Sequence, residues 1–292
     1  MEVSVPDLAL VVVKPDGVHQ RLTPAVLEFL AARGFEPLSA VTLHLTPDLR
    51  GRLYATTRTG GRLDWELNAV LYTLGPVTAV LLRGSATGHG HQDAATHLSA
   101  GLKGHFLPTR ARPGTLRGDL PSLNPIFNLV HASDDERELA REVTVLFGRT
   151  AAEVLTTPDL TAVRTAGPAR PLDHWRVAGS VIARLLRPTD VDKAWRLLSD
   201  VGWPGAAASR REAFAAVRRA REDLLPELAT SPAAVTAGLP ALLAGREDKL
   251  PGFARFHAAA TAVPAPPSQW DTYLTYTSLH YLDLSLEIPH EQ

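Results

Sequence analysis

The sequence predicts an α+β fold in its first half, with helices over a mostly antiparallel sheet, and an all-helical domain in its second half. Up to Phe147 the segments follow the order βα, β, two helices, β, a long loop, β, α, which suits a sheet with helices packed on it. Beyond that residue the chain becomes rich in Ala, Leu and Arg at helical spacing. A chain of 292 residues also exceeds the usual size of one domain, so we predict two, at residues 1–150 and 151–292.

The first three elements are marked by apolar runs and turn signals. "LALVVV" (Leu8 to Val13) is a β-branched run closed by Lys-Pro-Asp-Gly, which predicts a buried central strand followed by a turn. A helix follows, with Thr23 as its N-cap, Pro24 at its first position and Gly34 just past its end. "FEPLSAVTLHL" predicts a second strand.

The rest of the first half holds two helices, two strands and a last helix. "TPDLRGRLYA" and "LDWELNAVLYTLGP" predict the two helices, and "VTAVLLRG" predicts the third strand. Residues 85–125 are dominated by Gly, Pro, Arg and His, with a candidate helix near "QDAATHLSAGL"; such a long irregular stretch is usually functional or disordered. "IFNLV" predicts the fourth strand. Ser133 and Glu136 then form a capping-box pattern for the last helix, whose Leu139, Val143 and Leu146 face a core.

The second half is predicted to be mainly helical, with no role that its sequence reveals. Residues 148–172, rich in Thr, Ala, Pro and Gly, separate it from the first half. In "SRREAFAAVRRAREDLLPEL" the paired basic residues alternate with acids at helical spacing, which is typical of a solvated helix face. The C-terminal "TYLTYTSLHYLDLSLEI" is compatible with a helix or a strand.

Composition excludes several classes of function. The formal net charge is -1, so the chain lacks the general basic character that draws proteins to nucleic acid or to anionic membranes. There are no cysteines, which excludes disulfides, thiolate metal ligands and cysteine nucleophiles. The first residues show no basic region and only a short apolar run, and no run of about 18 apolar residues occurs. We therefore predict a cytoplasmic protein whose partners include neither nucleic acid nor a membrane.

Four short blocks of the first half resemble one enzyme family. "VVVKPDGV" ends the first strand, "LGPVTAV" begins the third, "RPGTLRGD" lies in the loop, and "NLVHASD" is followed by a glutamate eleven residues after its histidine. These blocks occur in this order in nucleoside diphosphate kinases. The resemblance implies a ferredoxin-like antiparallel sheet with covering helices and the activity of a phosphotransferase.

The resemblance implies that His131 takes the γ-phosphoryl group of ATP and passes it to a second substrate. A covalent route needs a nucleophile that is unprotonated near neutral pH, and histidine suits it because the ordinary pKa of its side chain is about 6.5. Glu142 matches the carboxylate that bonds the far ring nitrogen and sets its tautomer, with Ser133 bridging. Taken alone, a histidine at a strand end is more often a structural core residue.

Four more residues match family positions near the phosphates and the nucleophile. Lys14 matches a phosphate-contacting lysine, Arg117 a phosphate-binding arginine, Asn128 a sugar- and phosphate-side asparagine, and Tyr54 a tyrosine near the nucleophile. Simpler alternatives are a solvated lysine, a common Arg-Gly-Asp turn and ordinary helix packing of the tyrosine. A buried asparagine in an apolar strand requires a hydrogen-bond partner, which favours a polar role.

The long loop departs from the family pattern. It is longer than expected, and the threonine and second arginine that hold the distal phosphates in the family have no clear counterpart. We predict that Lys103 and Arg110 bind nucleotide in their place, with Thr109 and Arg112 as further candidates, because a flexible cation in this loop can reach a phosphate.

The base and metal contacts are also altered. The position of the base-stacking aromatic residue falls at Asp64 or Trp65, and Trp65 suits a core anchor equally well. Asp134 matches an acidic residue near the metal, although a helix cap explains it equally well. A zinc site is a further hypothesis that we do not favour, because no carboxylate or thiol is fixed beside the histidines that would form it. These histidines are His89, His91, His97 and His105.

The resemblance thus implies an Mg²⁺-dependent enzyme that uses ATP as phosphoryl donor. The acceptor is either a nucleoside diphosphate or a related nucleoside or nucleotide of a specialised pathway. Three features favour the specialised acceptor: the extra domain, the altered loop, and Ala132 in place of a common glycine. The alternative is a non-catalytic nucleotide-sensing or scaffolding module with a partner-binding helical domain. Family members commonly form tetramers or hexamers; the added domain and loop could block that packing, so we weakly favour a dimer among homo-oligomers.

Overall fold

The first half of the chain is built on a four-stranded antiparallel sheet. The computed structural model describes residues 5–56, 65–164, 167–185, 207–230, 232–244 and 249–286. The strand order is β2-β3-β1-β4, the arrangement of a ferredoxin-like sheet, so the predicted class is confirmed. The strands are β1 (Leu8–Val13), β2 (Glu36–Leu43), β3 (Val77–Arg83) and β4 (Val130–Ala132).

Helices connect and cover these strands. They are α1 (Pro15–His19), α2 (Thr23–Ala31), α3 (Pro47–Leu53), α4 (Trp65–Leu74), α5 (Ala94–Thr96), α6 (Leu116–Asp119), α7 (Glu136–Phe147), α8 (Ala151–Thr156) and α9 (Thr161–Arg164). The candidate helix of the long loop is confirmed in part, because α5 continues into a π-helix at His97–Leu102.

The central strand β1 separates two cores. Val11 and Val13 pack with α2 on one face, whereas Leu10 and Val12 pack with α7 on the other, as the alternation of a strand requires. Val12 pairs with His131 of β4. Residues that pair across two strands share a face, so His131 lies on the face that α7 covers.

Three local predictions are wrong at element ends. Lys-Pro-Asp-Gly begins α1 instead of forming a turn. Thr23 is the first residue of α2 and not its N-cap. Ser133 does not cap α7; the Asp135 side chain accepts from the backbone N–H of Glu138 at 2.8 Å instead, and its negative charge favours the helix N-terminus. The third difference matters for the site, because a Ser133 hydroxyl that does not cap α7 is available for another partner.

The fourth strand is also shorter than "IFNLV" predicted. It begins only at Val130, because Leu129 adopts a left-handed backbone with φ 70° that breaks the extended conformation.

The described part of the second half is helical, as predicted, and its C-terminal segment is a helix and not a strand. Its helices are α10 (His174–Leu185), α11 (Ala207–Thr230), α12 (Pro232–Thr236), α13 (Leu239–Leu243), α14 (Lys249–Thr261), α15 (Gln269–His280) and α16 (Leu282–Leu286). No helix within the described ranges is both long and apolar enough to cross a membrane.

The two halves share one hydrophobic core. Trp175 and Tyr273 of the helical half are fully buried in the same cluster as Leu71 of α4 and Phe127 of the segment before β4. The helical half therefore packs directly on the part of the sheet half that leads into β4.

The edge strand β2 is covered by residues that follow α8. The backbone N–H of Ala40 donates to the carbonyl of Asp159 at 2.6 Å, and the Ser39 hydroxyl bonds the backbone of Asp159 at 3.1 and 3.2 Å. Residues 151–164 thus pack on the sheet, and the domain boundary near residue 150 stays a prediction.

Candidate active site

A strained turn introduces β4. The backbone N–H of Val130 donates to the carbonyl of Asn128 at 2.9 Å, so Leu129 is the centre of a γ-turn, a conformation that costs about 1–3 kcal/mol. Two contacts hold it: the Leu129 carbonyl accepts from the backbone of Lys14 at 2.8 Å, and its N–H donates to Asp16 at 2.9 Å. The turn therefore ties the end of β1 to the start of β4.

Gly17 is required for this close approach. A Cβ atom at this position would lie 2.7 Å from the Val13 side chain and 3.2 Å from the Leu129 carbonyl oxygen. The glycine of Lys-Pro-Asp-Gly thus serves packing against the strained turn.

His131, at the middle of β4, is fixed by a buried carboxylate. Its Nε2 lies 3.0 Å from each oxygen of Glu142 on α7, and the Ser133 hydroxyl donates to Glu142 at 2.6 Å. Glu142 lies on the second turn of α7, which passes beside the strand that precedes it. The structure thus brings together the three residues that the sequence singled out.

Glu142 is held in its ionised form. Burial alone would raise the pKa of this carboxyl, but His131, the Ser133 hydroxyl and the Arg141 guanidinium outweigh burial and lower it. Arg141 lies 3.3 Å from Glu142 and also donates to the carbonyl of Leu53 at 3.0 Å, next to Tyr54. Arg141 is not predictable from the sequence pattern, because it lies on an otherwise polar helix face.

The ionised carboxylate fixes the tautomer of His131. A carboxylate only accepts hydrogen bonds, so the proton of a neutral imidazole stays on Nε2 and leaves a lone pair on Nδ1. Nδ1 has no hydrogen-bond partner within the described ranges. The ring is therefore arranged as a nucleophile at Nδ1.

Tyr54 forms one wall of the site. Its ring meets the His131 ring edge-on, with centroids 5.1 Å apart, and its hydroxyl bonds that of Tyr72. Burial raises the pKa of Tyr54 to about 12, so the phenol stays neutral. Trp65 lies beside it at 5.2 Å and is partly exposed, outside the hydrophobic clusters, which argues against the core-anchor alternative. Asp64, the other residue at which the aromatic position of the family could fall, lies outside the described residues.

Two buried cations share one acceptor beside this wall. Lys14 Nζ donates to Asn128 Oδ1 at 2.8 Å and to the Ile126 carbonyl at 2.6 Å, and Arg117 donates to the same Oδ1 at 3.3 Å. Arg117 also donates to the Val130 carbonyl, next to His131, at 2.6 Å. Both cations therefore lie along the backbone that leads to His131.

Burial lowers the pKa of both cations. It lowers the pKa of Lys14 to about 8, with Asp16 opposing and Arg117 adding to the effect. It also lowers the pKa of Arg117 to about 10. A solvated lysine and a common turn arginine, the simpler alternatives, do not fit these environments. Asp16, which the sequence suggested only as a turn residue, is buried beside Lys14, and burial raises its pKa.

A third cation, Lys103, is paired with Asp134. Its Nζ lies 3.0 Å from Asp134 and 2.6 Å from Ser99 of the π-helix. Burial and Arg117 lower the pKa of Lys103, while Lys103 is the main reason that the pKa of the exposed Asp134 is lowered, although desolvation opposes this shift. The helix-cap alternative for Asp134 is wrong, since Asp135 is the N-cap of α7.

The remaining loop candidates lie towards the helical half. Arg110 belongs to a 3₁₀ turn, Pro108–Arg110, that contacts α11 and α16, and the neighbouring Thr109 hydroxyl donates to the carbonyl of Ser285. Arg112 is exposed. His89 stacks on His97 at 4.2 Å, yet no group of three or more metal-binding side chains occurs within the described part of the chain.

Comparisons with known proteins agree on one family. The family model for nucleoside diphosphate kinase matches residues 7–152. A nucleoside diphosphate kinase of Sulfolobus acidocaldarius is 31% identical over 137 residues, which cover 47% of this chain and 87% of the relative. One of Mycolicibacterium vanbaalenii is 36% identical over 138 residues, covering 47% and 94%.

Part of the chain also matches a solved structure of a nucleoside diphosphate kinase. A nucleoside diphosphate kinase of Halobacterium salinarum in complex with CDP is 28% identical, with 49% of this chain and 88% of that chain covered and a TM-score of 0.41. The family model covers half of this chain and includes His131, Glu142, Lys14 and Arg117. On the strength of the family model and of the relatives from Sulfolobus acidocaldarius and Mycolicibacterium vanbaalenii, the chain belongs to the nucleoside diphosphate kinase family, a family of phosphotransferases.

Proposed function

We propose that the chain transfers the γ-phosphoryl group of ATP to Nδ1 of His131 and from there to a nucleotide acceptor. In the first step the Nδ1 lone pair attacks phosphorus, the N–P bond forms, the bond to the bridging oxygen breaks, and ADP leaves with that electron pair. In the second step an oxygen of the acceptor attacks phosphorus, the O–P bond forms, and the N–P bond breaks, which returns its electron pair to Nδ1. The observation that carries this proposal is the pairing of Nε2 with an ionised Glu142, which leaves Nδ1 unprotonated.

The surrounding residues supply charge and position. Phosphoryl transfer is accelerated mainly by cations placed around the spread charge of the transition state. Lys14 and Arg117 fill this role, and Asn128, which accepts from both, holds them in place. Lys103 and Arg110 hold the distal phosphates in place of the missing family residues. Tyr54 orients the imidazole ring, and Trp65 beside it stacks on the base.

Mg²⁺ fits this site through Asp134. Mg²⁺ is usually bound by one or two carboxylates together with substrate phosphates. The Asp134 carboxylate is ionised and largely exposed, and one of its oxygens already bonds Lys103 and Ser99. When bound, the ion neutralises charge on the phosphates. Asp134 and Lys103 are the residues of this chain that would orient the metal-bound nucleotide.

The acceptor is a nucleoside diphosphate or a related nucleoside or nucleotide of a specialised pathway. Support for the narrower acceptor comes from the packing of the helical half on α4 and on the segment before β4, next to the site. Ala132, where the family commonly has glycine, is fully buried beside the nucleophile. The helical domain, residues 151–292, then shapes the acceptor site of the catalytic domain, residues 1–150, in a cytoplasmic enzyme.

Incubation with γ-labelled ATP tests this function. We expect acid-labile label on the wild-type protein, no label on His131→Ala, and full label on His44→Ala, an exposed histidine that serves as the control. Nucleotide binding without label would favour the non-catalytic sensor. A panel of nucleoside diphosphates then separates the acceptors, since turnover below about 1 per second on every diphosphate would exclude the general kinase.

A further inference from the structure

The segment before β4 carries acceptors on which the phosphate site depends. Lys14 Nζ bonds both the Ile126 carbonyl and the Asn128 side chain, and Arg117 bonds Asn128 at its side chain and its carbonyl. The position of residues 126–128 thus sets where these two cations point.

Asn124 shapes this segment from within. Its Oδ1 accepts from the backbone N–H groups of Ile126 and Phe127, both at 2.9 Å, while the N–H of Leu123 donates to the Phe127 carbonyl at 2.8 Å. These bonds close a tight turn that presents the Ile126 carbonyl to Lys14.

The other end of the Asn124 amide reaches the helical half. Its Nδ2 donates to the hydroxyls of Thr277, at 3.1 Å, and Ser278, at 3.0 Å, on α15. All three side chains are buried. We name this pair of hydrogen bonds the Asn124 bridge.

The orientation of the Asn124 amide is fixed by its surroundings. The Thr277 hydroxyl donates its proton to the Tyr273 carbonyl at 2.9 Å, so towards Asn124 it can only accept. The two backbone N–H groups on the other side can only donate. The NH₂ group must therefore face α15, and every donor and acceptor of this amide is used.

Aromatic packing supports the same contact. Phe127 lies 5.6 Å from the ring of Tyr273 and 6.1 Å from that of Trp270, both on α15. The Tyr273 hydroxyl donates to the Leu67 carbonyl of α4. One helix of the second half thus contacts both the segment before β4 and α4.

We infer that Thr277 and Ser278 are positioning residues of the phosphoryl-transfer site: through the Asn124 bridge, α15 holds residues 123–128 in the conformation that aims Lys14 and Arg117. This inference rests on the proposed function for its catalytic consequence. It gives residues 151–292 a role, because the phosphate-binding turn is completed by a helix from the other half of the chain.

Paired variants of α15 test the inference in the full-length protein. Thr277→Val with Ser278→Ala removes both acceptors at nearly constant shape. The matched control is Thr272→Val with Thr275→Val, because these hydroxyls are equally buried but bond back to the carbonyls of their own helix, Ser268 and Asp271. A conservative pair, Thr277→Ser with Ser278→Thr, keeps both hydroxyls and should restore the wild-type behaviour.

Two readouts are compared. In unliganded protein, we expect amide hydrogen exchange in residues 123–127 to accelerate about tenfold in the first pair and to stay unchanged in the control, since loss of a positioned hydrogen-bond partner of this strength corresponds to about one factor of ten. In the labelling reaction, we expect the apparent KM for ATP, taken from the initial rate of labelling, to rise by a similar factor with little change in the maximal labelling rate.

Several outcomes overturn the inference: unchanged exchange in residues 123–127, equal effects in the control pair, or faster exchange with an unchanged KM. Absence of label on the wild-type protein contradicts the proposed function instead. In that case the exchange comparison still decides whether the Asn124 bridge holds the turn.

Discussion

Buried polar groups are used differently in the two halves of the molecule. In the sheet half, Lys14 and Asn128 are buried at one end of the sheet and bond each other across 114 positions of the chain, and the buried Ser133 and Glu142 join the end of β4 to α7. In α15 of the helical half, Thr272 and Thr275 are equally buried but bond within their own turn.

The difference separates polar groups that serve a site from those that serve packing. A buried polar group without a partner is costly, so each must be bonded, but a bond within one helical turn can form anywhere in a helix. Bonds between distant segments require the whole fold. They mark the end of β4 as the candidate site, and on α15 the hydroxyls of Thr277 and Ser278 are the ones that bond Asn124 in the segment before it.

The largest expected effect comes from Glu142→Gln. The side-chain amide of the glutamine presents an NH₂ donor to Nε2 of His131. This contact favours the tautomer with the proton on Nδ1, so the nucleophilic lone pair is lost. We expect His131 labelling to slow by about 10²–10⁴-fold, as for other loss-of-tautomer changes. Glu136→Gln, exposed on the same helix, is the control. A loss below about tenfold would mean that the carboxylate serves packing alone, like the α15 threonines.

The pKa of Lys14, about 8, predicts a pH dependence of nucleotide binding. Above pH 8 this lysine loses its charge, so the KM for ATP should rise by up to about tenfold per pH unit. Lys14→Met should abolish this dependence and give a high KM throughout. A KM that stays flat for the wild-type protein between pH 7 and 9.5, as a lysine with the ordinary pKa of 10.5 would give, would contradict the lowered pKa of Lys14.

Lys14 also makes the stability of the fold depend on pH. Nucleotide binding weakens as pH rises above 8, whereas the free energy of unfolding increases. The folded-state pKa of Lys14 lies below the ordinary value of 10.5, so the charged form destabilises the folded state fully below pH 8, and stability rises as pH increases from about 8 to 10.5. Thermal unfolding of wild type and Lys14→Met should therefore converge at high pH.

The smallest effect on activity is expected at Gln20, which forms another polar link between the halves. Its Oε1 accepts from the backbone N–H of Leu172 at 2.9 Å, and its carbonyl accepts from that of Arg170 at 2.7 Å. Gln20→Ala leaves the Leu172 N–H unpaired and should lower the free energy of unfolding by about 1–3 kcal/mol with the labelling rate unchanged. Gln269→Ala, exposed at the start of α15, serves as the control in denaturant unfolding. A large loss of labelling at unchanged stability would show that this link also serves the site.

The sequence predicted which residues lie together at the candidate site better than it predicted the residues that hold them in place. His131, Ser133 and Glu142 lie close in sequence, and the order of strands and helices was enough to place them together. Asp16 looked like a turn residue, and Arg141 like a helix-surface residue, because their partners lie more than 80 positions away. The Asn124 bridge joins residues 153 and 154 positions apart, and no local pattern encodes such a contact.

The ends of elements were missed for a related reason. Ser133 matched a capping box, but its hydroxyl is taken by Glu142, and Asp135 caps α7 instead. The apolar pattern of "IFNLV" predicted a continuous strand, whereas Leu129 is held in a left-handed conformation by Lys14 and Asp16. In both places tertiary contacts at the site override local propensity.

The central claim is that Glu142 reserves Nε2 of His131 and leaves Nδ1 to react. Phosphorus NMR of the protein labelled with ATP, combined with proton–phosphorus correlation to the imidazole ring, distinguishes the two phosphohistidine isomers. The structure predicts a single species phosphorylated at Nδ1 of His131. A phosphoryl group on Nε2, or on another histidine, would contradict the account.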